Sequence, residues 1–72
     1  MEKLIEVIKI VMENSSLDTS IEINRDSNLR EDLKLDSLAL AELAVRIEEI
    51  YDVDVFEDGL VSTVLEIEEK IV

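Results

Sequence analysis

Seventy-two residues can enclose one small core, and 47% hydrophobic content is enough to pack it despite 36% charged residues, so wholesale disorder is not expected. The absence of cysteine and histidine removes thiol nucleophiles, disulfides, the usual zinc ligands and any imidazole base, and with them a Ser-His-Asp triad. Nineteen acidic against seven basic residues give a net charge of −12, which repels nucleic acid and anionic membranes and favours proteins with basic patches, or cations.

No signal peptide is read at the start, because Met1-Glu2-Lys3 leads into an amphipathic pattern, and no apolar run is long enough to span a bilayer. A cytoplasmic setting is expected. Residues 2–13 predict a first helix, with Leu4, Val7, Ile8 and Val11 on one face and Glu2, Glu6, Lys9 and Glu13 opposite. Ile5, Ile10 and Met12 widen the apolar side. The acidic polar face argues for a core-packing helix, since a membrane-surface helix would want basic groups there.

Residues 14–35 form a long connection rich in turn formers, including Asn14-Ser15-Ser16, Asp18-Thr19-Ser20 and Asn24 to Asn28. Leu17, Ile21, Ile23, Leu29, Leu33 and Leu35 are spaced along it, which predicts a connection packed onto the helices. Ile21 and Ile23 alternate like a short strand, with no evident partner. Residues 37–51 carry the strongest helical pattern, and Leu40, Leu43, Ala44, Ile47, Ile50 and Tyr51 make a face expected in the core. The opposite face holds Leu38, Ala41, Glu42, Val45, Glu48, Glu49 and Asp52. Its mixture of apolar contacts and carboxylates suits a partner offering apolar and basic groups. A plain solvated acidic face accounts for the same residues.

Asp52-Val53-Asp54 does not begin a calcium loop: with Asp52 first, the sixth position is Glu57 instead of glycine and the twelfth is Thr63 instead of glutamate. A short helical turn over Phe56–Val61, ended or bent by Gly59, would be a fourth helix. Thr63-Val64-Leu65-Glu66 is a capping-box pattern opening a last helix to about Ile71, with Val64, Ile67 and Ile71 inward and Glu66, Glu69 and Lys70 outward. The chain therefore predicts an all-α fold, a small three- to four-helix bundle with a long loop between its first two helices, as one domain over residues 1–72.

The pivotal stretch is Leu33-Lys34-Leu35-Asp36-Ser37-Leu38, where the turn-rich connection meets the longest helix. Asp-Ser before an apolar-periodic run is a helix-start signal, and Ser37 read locally is a plain N-cap. The same helix start also welcomes a phosphate, through free N–H groups and the positive dipole end.

Asp36-Ser37-Leu38, preceded by Glu31-Asp32-Leu33 and placed at the start of the second main helix, resembles the acyl carrier proteins. The resemblance runs without gaps from about Asp26 to Asp54 and more loosely over the whole chain. It implies 4′-phosphopantetheine attached to Ser37 through a phosphodiester, flanked by Asp36 and Leu38, on a bundle of the acyl-carrier type. It also implies a docking surface of Leu38, Ala41, Glu42, Val45, Glu48 and Glu49 for basic patches on partner enzymes. Those partners would be a phosphopantetheinyl transferase, an acyl- or aminoacyl-activating ligase or acyltransferase, and downstream synthases or transferases. The chain would be a monomer that presents a thioester cargo and is not an enzyme.

Four departures point away from housekeeping fatty-acid synthesis toward a specialised carrier serving polyketide, peptide or envelope chemistry. Lys34 stands where many fatty-acid carriers have glycine, Ala39 replaces a common acidic residue, Phe56 replaces a usual proline, and the stretch from Val55 to Thr63 is short. The alternative function is an acidic helical protein-interaction module that keeps the fold and bears no arm.

Overall fold

The computed structural model describes residues 2–57, 59 and 61–71. Three helices follow in order: α1 (Glu2–Asn14), α2 (Ser37–Tyr51) and α3 (Val64–Ile71). The described residues contain no strand; the one isolated bridge joins Asn28 to Thr63. The fold is all-α, as the periodicity predicts. The expected turn over Phe56–Val61 includes Asp58 and Leu60, which lie outside the described residues. Val55–Glu57 form a turn, and the Gly59 N–H, at φ 127, donates to the Phe56 carbonyl.

The end of α1 and the start of α3 each have an identifiable chemical cause. α1 stops in a Schellman arrangement: the Leu17 N–H donates to the Met12 carbonyl at 2.8 Å and the Ser16 N–H to the Glu13 carbonyl at 3.0 Å. Ser16 takes the left-handed conformation this requires, at φ 60. At the start of α3 the free amides are met from two directions. The Thr63 hydroxyl accepts from the Glu66 N–H at 3.3 Å, while the Val64 and Leu65 N–H groups donate to the Ser27 and Arg25 carbonyls. Glu66 reaches back to the Ser62 N–H at 3.3 Å, a capping box displaced by one residue. Arg25 pairs with Glu68 at 2.9 Å, so the long connection is stitched to α3 along its first turns.

α1 packs on α2. Leu4, Val7, Ile8, Val11 and Met12 face Leu40, Leu43 and Ile47, with Val64 and Ile67 of α3 completing the helical share of the core. The remainder comes from outside helices: Ile23, Leu29, Leu33 and Leu35 of the long connection, and Val55 and Val61 beyond α2. Burial of each such leucine contributes roughly 1.5–3 kcal/mol, which is why a segment without helices is nonetheless ordered.

One expectation about α2 is corrected. Ile50 is 46% exposed, and Ala39, at 1%, takes a place in the core. The buried stripe of α2 is therefore rotated toward Ala39 and away from Ile50. Ile10 of α1 is likewise exposed.

Candidate functional site

The entrance to α2 is shaped by the turn before it. Asn28 Oδ1 accepts from the Arg30 and Glu31 N–H groups, and Asp32 Oδ2 accepts from the Asn28 N–H at 2.7 Å. This reciprocal capping holds a single turn that buries Leu29 and Leu33. Lys34 then adopts φ 64, and the Leu35 N–H closes onto the Leu29 carbonyl at 3.0 Å, which drives Leu35 into the core. Asp36 follows in extended backbone; its Oδ1 accepts from the Ala39 N–H at 2.8 Å and its carbonyl from the Leu40 N–H at 2.9 Å.

Asp36 is therefore the N-cap, and the local expectation of a cap at Ser37 is corrected. Ser37 occupies the first helical position, exposed, and its hydroxyl has no partner among the described residues. The reason is spatial: the carboxylate one residue earlier already reaches the amide that a Ser37 cap would compete for.

Lys34 makes one prediction. A side chain at this φ costs about 1–2 kcal/mol, and glycine returns part of that as about 0.4–1 kcal/mol of unfolded-chain entropy. Lys34→Gly should thus stabilise the fold by up to about 1 kcal/mol, visible as a rise of several degrees in thermal midpoint. An unchanged or lower midpoint would mean that Lys34 is held by contacts beyond its backbone.

Ser37 borders a cleft of about 210 Å³ lined by Arg30, Leu40, Ala41 and Phe56. Arg30 belongs to none of the sequence patterns above, and Phe56 stands out there only as a departure from a usual proline; the available signal for Arg30 is a cation shortly before the serine in so acidic a chain. A larger depression of about 460 Å³ borders Ile21, Glu22, Asn24, Asp26, Ser27 and Asp32, none of them in the Asp36–Leu38 stretch. Its Asn24, Ser27 and Asp32 side chains are already engaged in turn hydrogen bonds.

Along the outer face of α2, Leu38 is 79% and Val45 55% exposed, with Ala41, Glu48 and Glu49 exposed beside them. Glu42 differs from these. Its Oε2 accepts from Asn14 Nδ2 and from Arg46 Nε, each at 2.9 Å, so it ties the end of α1 to α2.

These bonds hold the Glu42 carboxyl below the usual glutamate range, the Asn14 hydrogen bond first and the Arg46 bond and charge after it. A depressed folded pKa stabilises the fold above the unfolded value of about 4.3, and that contribution disappears as pH falls through the lower folded value. Glu42→Gln should lower the thermal midpoint at neutral pH, and the gap from the parent should close below about pH 4. A gap constant from neutral to acid pH would show that Glu42 acts by shape rather than charge.

A family model described as a phosphopantetheine attachment site matches residues 4–71. The chain belongs to the phosphopantetheine-attachment family. No curated protein and no solved structure gives a significant match. Carriers of this family hold 4′-phosphopantetheine covalently on a serine and are themselves non-catalytic. They work with a phosphopantetheinyl transferase and with acyl-processing enzymes.

The geometry of this family member is compatible with the group. Of its six serines, Ser27 is buried with its oxygen accepting from the Asn24 N–H, Ser20 donates to Asp18 at 2.6 Å, and Ser15 and Ser16 sit in the C-cap of α1. Ser37 and Ser62 remain as exposed hydroxyls outside such bonds among the described residues, and Ser37 alone of the two borders the cleft. No helix among the described residues is long and apolar enough to cross a membrane.

Proposed function

We propose that this chain is a single-domain cytoplasmic acyl carrier of a specialised pathway, with 4′-phosphopantetheine attached at Ser37. The observation that carries the assignment is the exposed Ser37 hydroxyl, without a partner among the described residues, at the first position of α2, beside an open cleft and within the matched residues. Asp36 caps the helix and so orients Ser37 outward, while Leu38 begins the outer face. The attached group supplies a terminal thiol that holds acyl or aminoacyl cargo as a thioester. The chain's own residues present that arm from a rigid helix end and display a surface for enzymes to read.

That surface comprises Leu38, Ala41 and Val45 with Glu48 and Glu49, and Glu42 at its edge. Glu42 is engaged by Asn14 and Arg46, so Glu48 and Glu49 supply the charge that is free to steer a basic partner. The chain serves as a monomer, loaded by an activating ligase or an acyltransferase and read in turn by synthases or transferases.

Incubation with a phosphopantetheinyl transferase and coenzyme A tests the assignment. The expected product is one phosphopantetheinyl group per chain, located by peptide mass spectrometry on the peptide holding Ser37. An unmodified chain would favour the armless interaction module. For the docking face, the pair Glu48→Lys and Glu49→Lys should slow modification far more than the control pair Glu2→Lys and Glu6→Lys, and salt should narrow the difference. Equal slowing by the two pairs would reduce the effect to net charge and remove the assigned face.

A further inference from the structure

Resting on the assignment of Ser37, we infer that Arg30 is a positioning residue for the arm: its guanidinium pairs with the phosphodiester and directs the first apolar part of the arm along Leu40, Ala41 and Phe56. Arg30 and Ser37 border the same cleft, and among the described residues Arg30 is the one charged side chain on its lining. Among the described residues its guanidinium makes no ion pair, whereas the chain's two described salt bridges use Arg25 and Arg46. Its backbone N–H is fixed by Asn28 Oδ1 at 3.0 Å, so the root of the side chain is set by the capped turn.

The chemistry of the lining matches the chemistry of the arm. After the serine oxygen come the phosphate and then a quaternary carbon bearing two methyl groups. Here a cation and the hydroxyl share one lining with leucine, alanine and phenylalanine side chains. A phosphodiester brings another negative charge to a chain already at −12, beside Asp36 and close in sequence to Glu31 and Asp32. Arg30 offsets that charge, and a guanidinium does so with a planar fork suited to two phosphate oxygens. An arm held in this way leans toward Phe56 and leaves Leu38 and Val45 open to partners.

The modified protein provides the test. Parent, Arg30→Gln and Arg30→Lys chains are modified enzymatically, and mass spectrometry establishes the group at Ser37 in each. Nuclear Overhauser contacts between the arm's geminal methyls and the Phe56 ring are then measured with the phosphorus chemical shift. The parent should show the contacts; Arg30→Gln should weaken them roughly two- to fivefold, as expected for loss of one exposed ion pair, with Arg30→Lys intermediate. In the parent the contacts should fade toward the Arg30→Gln level in about 1 M salt, where screening reaches only about 3 Å. A chain modified at Ser37 whose contacts are absent, or are equal in the parent and Arg30→Gln, overturns the role of Arg30 and leaves the attachment site standing. Failure of the parent to be modified at Ser37 overturns both. Circular dichroism of each variant separates these outcomes from misfolding.

Discussion

Ser37→Ala should abolish phosphopantetheinylation by a transferase that modifies the parent, while leaving helical circular dichroism and thermal midpoint almost unchanged. The loss is complete because the hydroxyl oxygen is the atom that would form the phosphodiester, and no neighbouring group substitutes for it. The fold is spared because the cap belongs to Asp36, whose Oδ1 receives the Ala39 N–H. Alanine at an exposed first helical position changes stability by no more than about half a kcal/mol. Asp36→Ala is the informative partner variant: it keeps the hydroxyl and loses the cap, so it should cost about 0.5–2 kcal/mol. Modification persisting in Ser37→Ala, at Ser62 or another hydroxyl, would show the attachment site to be elsewhere.

The second large effect is expected from a residue that lies in no helix. Leu33 is fully buried within the long connection, and truncating it to alanine leaves a cavity in the centre of the core. Such changes cost about 2–5 kcal/mol, whereas a core of this size supplies about 3–5 kcal/mol of net stability. Leu33→Ala should therefore lower the thermal midpoint by about 10 °C or more and leave much of the chain unfolded at room temperature. Ile50→Ala serves as the contrast. Although Ile50 continues the apolar stripe of α2, it is exposed, and its loss should stay within about half a kcal/mol. Comparable destabilisation by the two would mean that the connection is a loose cover and that Ile50 is buried in solution.

The part of this molecule that was legible from residue order is the part governed by near neighbours. Leu4, Val7, Ile8 and Val11 recur at helical spacing, so α1 follows from interactions within one or two turns. The Thr63–Glu66 cap and the Asp36-Ser37 helix start are equally local, each spanning a single turn. The leucines of the long connection declared their burial because so much apolar area has no stable place in water. With the Asp36-Ser37-Leu38 motif, these features carried the all-α fold and the candidate attachment site.

What residue order left open depends on how distant segments meet. Asn14 and Glu42 are 28 positions apart, and their hydrogen bond exists only because α1 crosses α2 at that point. That crossing makes Glu42 a clamp between helices, although a helical wheel groups it with the free carboxylates Glu48 and Glu49. The choice of Ala39 over Ile50 for the core has the same origin: periodicity defines a stripe, and the packed neighbours decide which edge of it is covered. Arg30 and Phe56 come from opposite sides of α2 in the chain and share the Ser37 cleft only after the core has closed. Local energetics act within a turn of helix, whereas these juxtapositions are set by the closing of one small core around all three helices and both connections.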